Sequence, residues 1–221
     1  VHSLPESDSP LRPARSEVAN GGRLKLTIRD AATSTLAPCR IHIVGSDGAS
    51  HEPDDHPLSA WSLKRLGNRK DKGPFRYYGW FFYSLGTVDL RLPAGRTRID
   101  VWKGFEYEPQ SIEVTIVRGE TLERSVELTR RVDMASRGWF SGDTHIHLDR
   151  LEPKDDERAL DLAAAEDIQF AHILCMNDPR AYSPTMDRQI HPQLQGMGPA
   201  STKTRGRYRI ASGQEYRCVT Y

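Results

Sequence analysis

The sequence predicts a multidomain β plus α/β chain: an N-terminal β-sandwich followed by βα units. Three observations carry this. Short segments of alternating apolar and polar residues recur from Gly22 to about Arg130. A nearly continuous apolar run, Phe170 to Met176, follows later, and between them lies a stretch with helix-start chemistry. Period-two alternation marks half-buried strands, whereas an unbroken apolar run followed by turn residues fits a strand covered on both faces.

The elements follow in order. Residues 1–21 are rich in Pro and Ser and are expected to be a linker; 22–130 are expected to form the sandwich, and 131–221 the α/β part. Leu24, Leu26 and Ile28 form one alternating segment, and Ile41 and Ile43 a second, which the turn residues Gly45-Ser46-Asp47-Gly48 end. An irregular insertion from Ala49 to Pro74 leads into the aromatic stretch Phe75 to Tyr83. Core filling is the simpler use of those rings, with a carbohydrate platform as the other. Alternation resumes at Val88, Leu90 and Leu92 and breaks at Pro93-Ala94-Gly95. It continues through Ile99, Val101, Ile112, Val114, Ile116, Leu122, Val126 and Leu128, giving about seven strands at the spacing of a sandwich. Beyond Arg131 the pattern changes. Trp139 to Leu148 is a strand ending in polar residues, Asp155 or Asp156 can cap a helix through Leu160 and Ala164, and Phe170 to Met176 completes a βαβ unit. The segment from Pro179 to about Ser201 is expected to be a loop, and Tyr208 to Ser212 a strand that delivers Gly213-Gln214-Glu215.

Composition narrows the functional classes. A net charge of +1 over 221 residues argues against a nucleic-acid surface, and the basic stretch Lys64 to Lys72 carries loop residues of its own. No apolar run approaches the roughly 18 residues a membrane span needs. Three cysteines, Cys39, Cys175 and Cys218, form neither an even disulfide framework nor a C-x-x-C metal motif, which leaves buried thiols as the default.

The chemistry concentrates in one strand. Asp143, His145 and His147 are two apart and project together, while Thr144 and Ile146 face the other layer. Neutral imidazoles with added carboxylates make a mixed N/O site for a first-row divalent metal with positions left open. Asp149 and Glu152 follow that strand and are expected to lie exposed ahead of the helix.

Gly142-Asp143-Thr144-His145-Ile146-His147, preceded by Gly138-Trp139-Phe140, resembles the opening motif of the PHP (polymerase and histidinol phosphatase) superfamily, in its CehA/McbA-type form. Leu92-Pro93-Ala94-Gly95 and the segment Val101 to Pro109 resemble the carboxypeptidase-regulatory-like sandwich that often precedes the barrel in that family. The resemblance implies the first βα units of a PHP-type α/β barrel. It also implies a secreted or periplasmic, metal-dependent hydrolase of ester, phosphoester or amide-like bonds, acting on a small-molecule substrate through metal-bound water. One to three ions of zinc, manganese or iron would sit on His145, His147 and Glu215, with Asp143 as a catalytic or ligand-orienting carboxylate. Where the family shows T-D-H, this chain has Asn177-Asp178, so Asn177, Asp178 and Arg217 are left as residues beside the metal ligands or toward the substrate. Ligands completing such a site would follow Tyr221, so the chain as given is expected to be a fragment, inactive alone. The alternative is a non-catalytic binding or adhesion module, its sandwich engaging glycan or protein beside a degenerate barrel.

Overall fold

The computed structural model describes residues 20–53, 81–177, 189–190 and 192–216. Most of the expected linker, most of the 49–74 insertion, Asp178, Arg217 and Cys218 lie outside the described residues.

Eight strands form two facing sheets: β1 (Gly22–Asp30), β2 (Cys39–Val44), β3 (Ser50–His51), β4 (Phe82–Ser84), β5 (Thr87–Leu92), β6 (Gly95–Trp102), β7 (Gln110–Ile116) and β8 (Thr121–Leu128). One sheet has the order β5-β1-β8, with β1 antiparallel to β5 and parallel to β8. The other has the order β3-β2-β6-β7, and β4 shares with β3 the remaining edge of β2. Alternation dictates which face is buried: Leu24, Leu26 and Ile28 meet Ile41, Ile43, Ile99 and Val101 in one core. Burying each such side chain stabilises the fold by about 1.5–3 kcal/mol. The opposite face of β1 carries Arg23 and Lys25, paired with Asp89 at 2.6 Å and Glu123 at 3.6 Å. Such exposed pairs add at most about 1 kcal/mol, so the apolar core holds the two sheets together.

A short 3₁₀ turn (Ala135–Arg137) leads to β9 (Gly142–Ile146), helix α1 (Pro153–Ala165), β10 (Phe170–Asn177), β11 (Gln189–Ile190), β12 (Gly198–Arg205) and β13 (Tyr208–Tyr216). Helix α1 begins with Pro153 in its first turn, and Asp155, not at the cap but three residues inside it, accepts the backbone N–H groups of Leu151 and Glu152 at 2.9 and 3.0 Å. Ala159, Leu160 and Ala163 then pack on Ala171, Ile173 and Ile210. No helix among the described residues is long and apolar enough to cross a membrane.

The fold departs from the α/β barrel expected from the sequence. Among the described residues one α-helix accompanies thirteen strands. The third sheet runs β11-β10-β13-β12, with β9 also on β10, and only β9, β10 and β13 are parallel. Antiparallel β12 flanks β13, and antiparallel β11 shares with parallel β9 the other side of β10, so among the described residues the sheet is mixed and not a run of parallel βα units. β10 itself is covered on one face, not two: Ala171 and Ile173 are buried under α1, while His172 is exposed.

The end of α1 seats on the sandwich. Tyr83 donates to Glu166 at 2.5 Å, and Arg40 pairs with Glu166 at 3.0 Å. Gly104 has φ +50°, and a Cβ there would lie 2.7 Å from the Glu166 carbonyl oxygen, so only glycine allows this approach. Lys103, 4% exposed, donates to the carbonyls of Pro38 (3.0 Å) and Ala164. A cation suits the C-terminal end of a helix. Burial nonetheless lowers its pKa from 10.5 to about 8; Asp167, Cys39 and Asp30 oppose that shift and Arg130 adds to it. The unfolded chain holds this proton to higher pH, so the lysine's contribution is complete above 10.5 and lost as pH falls through about 8. Cys39, whose thiol burial pushes up from 9.0 to about 12, acts in the opposite sense above pH 9. Between pH 8 and 9, urea midpoints should therefore rise with pH, by on the order of 1 kcal/mol per unit, and Lys103→Met should abolish the rise.

Candidate metal centre

Sheet topology places the three ligand-type residues. β9 and β13 flank β10, in register Ile146↔Ile173 and Met176↔Glu215, so the end of the histidine strand and the Gly213-Gln214-Glu215 segment reach the same end of the sheet. Ile146 packs toward α1. By alternation His145 and His147 project to the other face, which the helix leaves open.

There the side chains converge. Ligand atoms of His145, His147 and Glu215 all lie within 4.8 Å of one another. His145 Nε2 is 3.2 Å from His147 Nε2 and 3.2 Å from Glu215 Oε2, and His147 Nε2 is 2.9 Å from the same oxygen. Adjacent ligands of a six-coordinate ion, at about 2.1 Å from it, stand about 3.0 Å apart, and those of a tetrahedral ion about 3.4 Å. The triangle thus fits one face of a coordination sphere with other positions open. Orientation supports the fit. His147 Nδ1 faces the Leu174 carbonyl at 3.3 Å. A carbonyl only accepts, so this contact assigns the proton to Nδ1 and leaves Nε2 as the lone-pair nitrogen facing Glu215. Two electron-rich atoms at 2.9 Å need a cation between them, either a proton or a metal ion.

The other sequence candidates fall as follows. Asp143 is not part of the triangle; its Oδ1 accepts the His145 backbone N–H at 2.9 Å and so fixes the local backbone. Asn177 pairs through its backbone with Gln189 and Tyr216, while its side chain, like Asp178 and Arg217, lies outside the described residues. Phe82 fills the core, and Tyr83 contacts the helix end, so the described part of the aromatic stretch packs internally. Cys39 and Cys175 are buried free thiols. Two residues escaped the sequence reading: Asp149, expected exposed, is 5% exposed, and Arg150 is fully buried.

No family model matches the chain, and no curated protein matches it. Among solved structures it is similar to the minor pilin GBS52 of Streptococcus agalactiae, at 15% identity and a TM-score of 0.35, over 52% of this chain and 46% of that one. It is also similar to the major pilin subunit BcpA of Bacillus cereus, at 14% identity and a TM-score of 0.32, over 50% and 30% of the two chains. A third is the Bacillus anthracis TIE protein, at 13% identity and a TM-score of 0.32, over 60% and 20%. The chain thus spans less than half the length of each. At these TM-scores and identities the likeness establishes neither a shared fold nor a shared function.

The fold corrects the resemblance to the PHP superfamily. Among the described residues strands outnumber the single α-helix thirteen to one, and the third sheet carries antiparallel strands where repeated βα units would give only parallel ones. The CehA/McbA-type assignment, the carboxypeptidase-regulatory-like label, the hydrolase class and the zinc preference that came with them are withdrawn. H-x-H and G-x-E are short enough to recur on unrelated strands.

Proposed function

We propose that the chain is a binding module that holds one divalent first-row metal ion on His145, His147 and Glu215 and presents the ion's remaining positions to a partner. The convergence of those three ligand atoms within 4.8 Å carries this reading. Two imidazoles and one carboxylate leave a divalent ion with a net positive charge, so an oxygen-donor group on a partner protein or glycan is the chemistry it attracts. The exposure of His145, whose side chain is 60% accessible, supports access from solvent.

Titration with Co²⁺ tests both halves. The purified chain should take up one equivalent with a visible d–d spectrum, and the loaded protein should not hydrolyse p-nitrophenyl acetate or p-nitrophenyl phosphate faster than free Co²⁺ does. Absence of uptake would remove the metal; turnover would overturn the non-catalytic reading.

A further inference from the structure

We infer that Arg150 is a positioning residue for the His145–His147–Glu215 triangle, acting from the helix-covered face of the sheet; this rests on the metal reading above. Arg150 is the largest fully buried side chain among the described residues. Its Nε donates to Asp156 Oδ1 at 2.6 Å, one terminal nitrogen donates to the Ser212 hydroxyl, and the other to the Ser201 carbonyl at 2.9 Å. Its backbone N–H also donates to Pro192 O at 3.0 Å. One guanidinium therefore ties the turn after β9 to α1, β12 and β13. Desolvating it costs several kcal/mol before those bonds offset the loss, and apolar packing would serve stability as well. What the guanidinium adds is geometry, because its planar fork fixes three partners at once.

The partners form a closed ring around the site's supports. Ser212 accepts from Arg150 and donates to Gln193 Oε1 at 2.9 Å. Gln193 Nε2 in turn donates to the carbonyl of Leu148 at 2.7 Å. Leu148 directly follows His147, and Ser212 lies three residues before Glu215 on β13. The ring thus spans from the histidine strand to the glutamate strand, with β10 between them, and sets how far apart the ligands stand.

Ser212→Ala removes the ring's central hydroxyl without leaving a buried charge. It should weaken Co²⁺ binding by about tenfold or more, as loss of a ligand-orienting partner does, and alter the intensity of the d–d bands. Ile99→Val, fully buried in the sandwich core, destabilises by loss of a methylene but lies in a core cluster that contains no ring member, so its affinity and spectrum should match wild type. Gln193→Leu breaks the same ring at a loop residue and carries the test if Ser212→Ala does not fold. Wild-type affinity and spectrum in the ring variants would overturn the role of Arg150 while leaving the metal site standing. Failure of the wild-type chain itself to bind Co²⁺ would overturn the metal reading, and this inference with it.

Discussion

His147→Ala should reduce Co²⁺ affinity by more than about 100-fold, beyond the 10–100-fold typical of outer partners, as measured by competition with a chromophoric chelator. The size follows from its place in the triangle. His147 Nε2 stands 2.9 Å from Glu215 Oε2, its ring is set by the Leu174 carbonyl, and its side chain is only 25% accessible. No rotation of a neighbour replaces that nitrogen. His145 is 60% accessible and is held through its backbone by Asp143, so His145→Ala should cost less than His147→Ala, though still more than Asp143→Ala. Equal affinity in His147→Ala and wild type would show that any bound ion sits elsewhere.

Asp167→Ala should destabilise the fold by about 3–5 kcal/mol, the range for breaking a buried ion pair by removing one partner. Asp167 is 5% exposed and binds Arg130 through both oxygens, at 2.8 and 3.1 Å, while the Tyr208 hydroxyl donates to it at 2.8 Å. Removing the carboxylate takes one of Arg130's two carboxylate partners among the described residues, leaving Glu106, and takes an acceptor from the Tyr208 hydroxyl. The backbone adds to the cost. Asp167 follows the end of α1 at φ +53°, a left-handed conformation that Asp and Asn tolerate and alanine resists by about 1–2 kcal/mol. Asp167→Asn keeps that conformation and one acceptor oxygen, so it should cost clearly less. Urea denaturation of the two variants separates the charge from the backbone. Matching midpoints in wild type and Asp167→Ala would mean that the contact between helix end and sandwich contributes nothing to stability.

Local patterns were legible in the sequence, and long-range pairing was not. The segments around Leu24–Ile28, Ile41–Ile43, Val88–Leu92 and Ile112–Ile116 lie on strands because one buried face imposes period two on the residues. The two-residue spacing of His145 and His147 likewise put both imidazoles on one face. That face meets Glu215 only through the pairing of β10 with β9 and β13. The barrel expectation came from the short motif Gly142–His147, which does not state its strand's neighbours, and an apolar run such as Phe170–Met176 does not state what flanks it either. β12, Gly-Pro-Ala-Ser-Thr-Lys-Thr-Arg, has no alternation to announce an antiparallel edge strand. Two-residue strands such as β3 and β11 are too short to show a period. Arg150 was invisible for another reason: a charged residue is buried only when its partners are brought to it, and Ser201 and Ser212 come from more than fifty residues downstream.

X-ray absorption at the cobalt K edge of the Co²⁺-loaded chain tests the central claim most directly. The account predicts nitrogen and oxygen scatterers at about 2.0–2.2 Å, with the multiple-scattering signature of two imidazoles that disappears in the His145→Ala, His147→Ala double variant. A spectrum without imidazole scattering, or one identical in the double variant, would contradict it.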